Sequence, residues 1–185
     1  SGLTPPSELS GAAYVFDRVN GQWQYSTTLS DPDGDNFGTS VSLDGDRVLI
    51  GSYGAGTSNR GCAFIFERNQ SGQWEKVAKL DPAGGGSDRQ VGRFVALSGD
   101  DAVICSTSYS RTYHFRRSAL GVWEELSTQE PFGSSIAIDG PQMAIGLPNT
   151  VRIYQKIGVD WVQAAELTSP TGSFGTSVGL KGGLL

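Results

Sequence analysis

The 185-residue sequence predicts an all-β fold of the β-propeller class, built from four-stranded blades. Three observations carry that expectation. Four tryptophans recur at one position of a repeat, a nine-residue frame bounded by glycine recurs between them, and the apolar runs lack the alternation of a sheet with one wet face.

Trp23, Trp74, Trp123 and Trp161 follow Phe16, Phe66, Phe115 and Tyr154 at separations of 7, 8, 8 and 7, and each of those aromatics closes a short apolar run. Leu29, Leu80 and Leu167 lie six residues after their tryptophans, whereas the third unit has Gln129 there. The second signal is the frame Phe37-Gly-Thr-Ser-Val-Ser-Leu-Asp-Gly45, which recurs as 91–99, 132–140 and 174–182. Its closing glycines, Gly45, Gly99, Gly140 and Gly182, step by 54, 41 and 42 residues, the length of a four-stranded blade with longer loops in one unit.

Each unit reads as four strands in order. The first opens with the Phe-Gly frame, and its glycines Gly38, Gly92, Gly133 and Gly175 mark a face with room only for small side chains where sheets converge on an axis. Asp44-Gly45 and Asp139-Gly140 are two-residue turn signals leading to the second strand, such as Arg47–Gly51 or Gln142–Gly146. The third is typified by Gly61–Phe66, and the fourth opens with the tryptophan. Ala12–Phe16 and Val48–Ile50 do not alternate, as expected for sheets covered on both faces.

The chain forms a single domain that begins and ends inside a unit: a half-blade at 11–29, repeats at 37–80, 91–129 and 132–167, and a half-blade at 174–185. The halves complement each other. Pairing them closes a four-blade ring and removes its open edges, while a chain cut from a larger propeller shows the same complementarity.

Composition narrows the function. Gly and Pro together number 34 of 185 (26 and 8), below the level of disordered low-complexity chains, so a packed core is expected. A net charge of −5 without clusters of Lys and Arg argues against nucleic acid as partner. No apolar run approaches the roughly 18 residues of a membrane-spanning helix, and the first residues lack the basic and apolar parts of a signal peptide, which is gone if the protein is secreted. With one histidine, no Cys/His cluster and no Gly-x-Ser-x-Gly, the nucleophile and metal-hydrolase classes lack their parts, and a non-enzyme is expected.

Four features carry binding chemistry or its plain alternative. Asp31, Asp33 and Asp35 alternate as the ligands of a loop around calcium do, and equally as a polar turn does. Cys62 and Cys105 fall at the same edge of adjacent units in small-residue positions, where packed thiols are favoured over a disulfide. His114 aligns with Val15, Ile65 and Ile153, an inter-blade position with a hydrogen-bonded ring. Asn69-Gln-Ser71 is an N-glycosylation pattern in the turn between the third and fourth strands.

Phe37-Gly38-Thr39-Ser40-Val41, Asp44-Gly45-Asp46 and Gly11-Ala12-Ala13-Tyr14 resemble the integrin-type FG-GAP repeat, and the resemblance runs from Gly11 to Leu185. The family's Gly-Ala-Pro segment survives only as Gly146-Leu147-Pro148. The resemblance implies a β-propeller, seven blades being usual, in extracellular adhesion receptors, lectins or secreted microbial proteins, hence an extracellular or lumenal location. The family's calcium loop lies between the first and second strands, where this chain has only Asp44-Gly45, so that metal site does not carry over. Three functions follow: a non-catalytic interaction or adhesion scaffold using loops such as Ser106 to Ser110, a lectin stacking glycans on its tryptophans, or an accessory domain of a larger assembly.

Overall fold

The structure is a computed structural model, and it describes residues 11–56, 59–83, 90–107, 111–129, 133–170, 172 and 174–182. It is all antiparallel β. β1 (Ala13–Val19) and β2 (Gln22–Leu29) form a two-stranded sheet. Three four-stranded sheets follow. The first holds β3 (Phe37–Asp44), β4 (Arg47–Ser52), β5 (Cys62–Arg68) and β6 (Trp74–Leu80). The second holds β7 (Phe94–Ser98), β8 (Asp101–Ser106), β9 (Arg111–Arg117) and β10 (Trp123–Gln129). The third holds β11 (Ser135–Asp139), β12 (Gln142–Leu147), β13 (Thr150–Ile157) and β14 (Asp160–Thr168). Every sheet runs in chain order, each strand antiparallel to the one before it.

The hairpin register moves the first turn by one residue from its expected place. Asp44 pairs with Arg47, so Gly45 and Asp46 are the two loop residues and Asp44 closes the ladder. Gly45 takes φ 58°, which a side chain disfavours, and Gly140 repeats it at 55°. The outer pairs β1–β2, β5–β6, β9–β10 and β13–β14 each carry a bulge on the fourth-strand side, with Ser26, Val77, Leu126 and Ala164 as the extra residues.

The sheets stack face to face, with β3 beside β7 and β7 beside β11. Three apolar clusters occupy the three junctions. Ala13 and Val15 pack with Phe37, Phe64, Phe66 and Trp74 between the two-stranded sheet and the first four-stranded one. Leu49, Ile65 and Leu80 share a cluster with Tyr113, Phe115 and Trp123 at the next junction, and Val103 with Met143, Ile145, Tyr154 and Trp161 at the last. Because both faces of an interior sheet are covered, β4 is buried at every residue but Arg47 and β5 at its first five residues.

One expectation is corrected here. β1 does alternate in burial, because Tyr14 and Phe16 face solvent while Ala13 and Val15 face the next sheet; no sheet precedes it among the described residues. The expected half-blade at 174–185 forms no strand within 174–182, and 183–185 lie outside the described residues. Among the described residues β1 is paired with β2 alone.

Candidate interaction surface

Chain direction sorts the links onto two ends of the stack. The first-to-second and third-to-fourth links share one end, and there they are short: Gly45-Asp46, Gly99-Asp100 and Gly140-Pro141 join the first pair. The second-to-third links share the opposite end and differ in length, residues 53–61, 107–110 and 148–149. Length variation on a regular scaffold is where binding specificity is built. Residues 108–110 of the expected Ser106 to Ser110 contact loop lie outside the described residues. On the same end Arg93 lies over the ring of Tyr53, 4.9 Å from its centroid, and the hydroxyl of Ser52 donates to the Asp35 carbonyl at 2.8 Å.

Several titratable groups join successive sheets. Arg68 pairs with Asp17 of the preceding sheet and holds that carboxyl below its usual range, and Arg117 approaches Glu67 of the preceding sheet at 3.3 Å. Lys156, at the same repeat position, meets Asp101 instead. Asp101 also accepts a hydrogen bond from His114 Nε2 at 2.8 Å, and the His114 ring meets Trp161 edge-on at 6.0 Å. His114 is thus buried at a sheet junction with its ring hydrogen-bonded. Burial pushes the Asp101 carboxyl up, but the hydrogen bonds from His114 and Lys156 outweigh it and hold the group below its ordinary value.

Asp31, Asp33 and Asp35 do not converge on a metal. Asp31 is buried, its carboxylate accepts the Asp33 amide in an Asx turn and pairs with Lys76, and no group of three or more His, Cys, Asp or Glu is placed to hold an ion among the described residues. Asn69 caps its own turn: Oδ1 accepts the amides of Ser71 and Gln73, and Nδ2 donates to Glu75 at 2.7 Å. Cys62 and Cys105 are buried free thiols.

Gly38, Gly92 and Gly175 sit where successive sheets approach, whereas Gly133 sits against β12 of its own sheet. A Cβ on Gly38 would lie 2.6 Å from the Ala12 carbonyl oxygen, and one on Gly175 2.5 Å from that of Thr150; on Gly92 it would strike the Cys62 carbonyl and on Gly133 that of Gly146. Trp74, Trp123 and Trp161 pack against the preceding sheet, whereas Trp23 is 71% exposed. Sequence reasoning, which gave the four tryptophans one role, missed this difference; the chain order, in which β1–β2 comes first, was the signal.

A groove of about 360 Å³ runs between the free edge of β1 and the face of β3–β4, lined by Tyr14, Phe16, Val41, Leu43, Val48 and Trp74 among others. It occupies the place that first and second strands take beside β5, β9 and β13 in the complete sheets. No described helix is long and apolar enough to cross a membrane.

Residues 27–66 match the family model described as FG-GAP repeat. No curated protein matches the chain. Among solved structures, a functionally unknown protein from Desulfotomaculum acetoxidans is similar over 84% of this chain and 49% of its own, at 9% identity and a TM-score of 0.55. A provisionally assigned 6-phosphogluconolactonase from Bacteroides fragilis is similar over 86% of this chain and 50% of its own, at 12% identity and a TM-score of 0.52. The chain therefore spans about half the length of these structures, and at such identity the likeness is one of fold.

Proposed function

From the FG-GAP repeat that this chain carries, we propose that it is a non-catalytic protein-interaction or adhesion scaffold, its sheets the blades of a β-propeller and its long-loop end the contact surface. The observation behind this reading is the division of labour between the two ends. Hairpin turns at one end keep to two residues between first and second strands, while the opposite end varies from two to nine in the second-to-third links at 148–149, 107–110 and 53–61. The ring is either closed by four blades or continued in a larger propeller. An extracellular or lumenal setting accords with the repeat's usual location.

The non-catalytic reading draws support from the buried carboxylates Asp31 and Asp101, each engaged by a lysine of another part of the sheet stack. A glycan-binding role draws support from Trp23 alone, since its three counterparts are packing residues. An accessory role in a larger assembly uses the same surface. The test is cross-linking mass spectrometry on the native protein with its partners. Links concentrated on Arg60 and Arg93 at the long-loop end are expected; links confined to the hairpin end around Arg47, Asp100 and Lys156 would refute the reading, and hits on a glycan array with no protein links would replace it by the lectin.

A further inference from the structure

Tyr53 and Arg93 depart from the repeat together, and the structure brings them into contact. The third place of the nine-residue frame is Thr39, Ser134 and Thr176 in three units and Arg93 in the remaining one; Tyr53 stands where the later sheets have Thr107 and Pro148. Junctions that recur call for the same residues in each copy, as the burial of Leu29 and Leu80 shows, so two large departures facing each other are not asked for by the packing. Arg93 comes from the turn before β7 and Tyr53 from the start of the 53–61 link. The guanidinium lies 4.9 Å from the ring centroid, across the junction of the first two four-stranded sheets. Backbone bonds brace both partners: the Gln90 amide donates to the Asn59 carbonyl at 3.1 Å, the Val91 amide to the Arg60 carbonyl at 2.9 Å, and the Arg93 amide to the Gln90 carbonyl at 3.3 Å.

We propose that this pair anchors the long-loop contact surface and receives an Asp or Glu carboxylate of the protein partner. This rests on reading the long-loop end as the contact surface, and adds the chemistry of what meets it. Arg47, Arg60, Arg68, Arg117 and Arg152 each have a carboxylate partner within the chain. Arg93 is exposed, and among the described residues it has neither an ion pair nor a side-chain hydrogen bond. Its planar fork of N–H donors is therefore free, and that fork matches the two oxygens of a carboxylate. The half-buried Tyr53 ring orients the guanidinium and shields one side of it from water. Holding the side chain in place reduces the entropy lost on binding, and the shielding strengthens the ion pair that forms. Tyrosine and arginine are, with tryptophan, the residue types enriched where a protein interface concentrates its binding energy.

NMR of the arginine Nε–H signals of the 185-residue chain tests this, with an acetylated and amidated Glu-Asp-Glu-Asp peptide as the probe at low salt. The Arg93 Nε–H signal is expected to move downfield and to saturate in the millimolar range, while a Gln-Asn-Gln-Asn peptide leaves it in place. Arg93→Gln weakens the acidic peptide about tenfold with the thermal melt unchanged, and Arg93→Lys restores only part of the affinity. Tyr53→Leu weakens it about threefold and Tyr53→Phe does not. An Arg93 signal that does not respond, or an Arg93→Gln chain that binds as wild type does, overturns the proposal. A melt lowered by Arg93→Gln overturns it too, by assigning the pair to the fold, and inorganic phosphate bound more tightly than the peptide overturns the carboxylate assignment. Shifts at Ala55 and Gly56 with Arg93 unmoved overturn the anchor alone and leave the contact surface standing. Shifts confined to the hairpin-end amides of Gly45, Gly99 and Gly140 overturn both.

Discussion

The Gly182 amide donates to Asp139 Oδ2 at 2.6 Å, the bond that Gly99 makes to Asp44 two junctions earlier, also at 2.6 Å. Between them the Gly140 amide donates to the hydroxyl of Ser98 at 3.0 Å. One backbone amide per unit thus docks on the turn residue of the preceding unit, and the device persists past the last complete sheet.

That bond gives a pH signature. The Gly182 hydrogen bond and then Lys181 hold the Asp139 carboxyl below its usual 3.8. Its contribution is therefore present above that value and fades as pH falls through the lower folded value. The Gly182 amide proton, followed by NMR, is expected to move upfield with a midpoint below 3.8 and to be pH-insensitive in Asp139→Asn.

Trp161 and Trp23 share a repeat position and differ in surroundings. Trp161 is 4% exposed in the cluster of Met143, Ile145 and Tyr154, so Trp161→Ala is expected to cost about 3–5 kcal/mol in denaturant melts. Trp23 is 71% exposed, so Trp23→Ala is expected within about 0.5 kcal/mol of wild type. Equal costs would contradict the junction geometry.

The Asp101, His114 and Lys156 group joins the second and third four-stranded sheets. Removing Asp101 leaves Lys156 and the His114 ring buried without their carboxylate, and Asp101→Ala is expected to cost about 3 kcal/mol near pH 7. The depressed folded value means that the wild-type advantage holds above about pH 4 and shrinks as pH drops below it. Urea melts of both proteins between pH 7 and pH 3 should converge.

Burial pushes the Cys62 thiol up to about 12 and the Cys105 thiol up to about 11. At pH 8 almost no thiolate is present, so thiol reagents should label neither residue in the folded protein and both in denaturant. Rapid labelling of native protein would contradict the packing of either strand end.

Much of the fold was legible in the sequence because one unit is written four times. The tryptophan spacing and the Phe-Gly frame placed the fourth and first strands, and Leu29 and Leu80 are buried as an inter-sheet repeat requires. What could not be read was the effect of neighbours that a repeat leaves implicit. Tyr14 and Phe64 look alike in sequence, and only the presence or absence of a preceding sheet makes one exposed and the other buried. Asp31 likewise reads as part of a solvated polar turn until its burial and Lys76, 45 residues away on its carboxylate, are seen.

The central claim is that successive sheets lie face on face, each leading its third and fourth strands against the next. Methyl-to-aromatic NOE spectroscopy tests it most directly at the junction of the first two four-stranded sheets. Cross-peaks from Leu49, Ile65 and Leu80 methyls to the Tyr113 and Phe115 rings are the result expected from their shared cluster. Their absence, with those methyls instead close to solvent or to the rings of Phe64 and Phe66, would contradict the stack and the surface assigned to it.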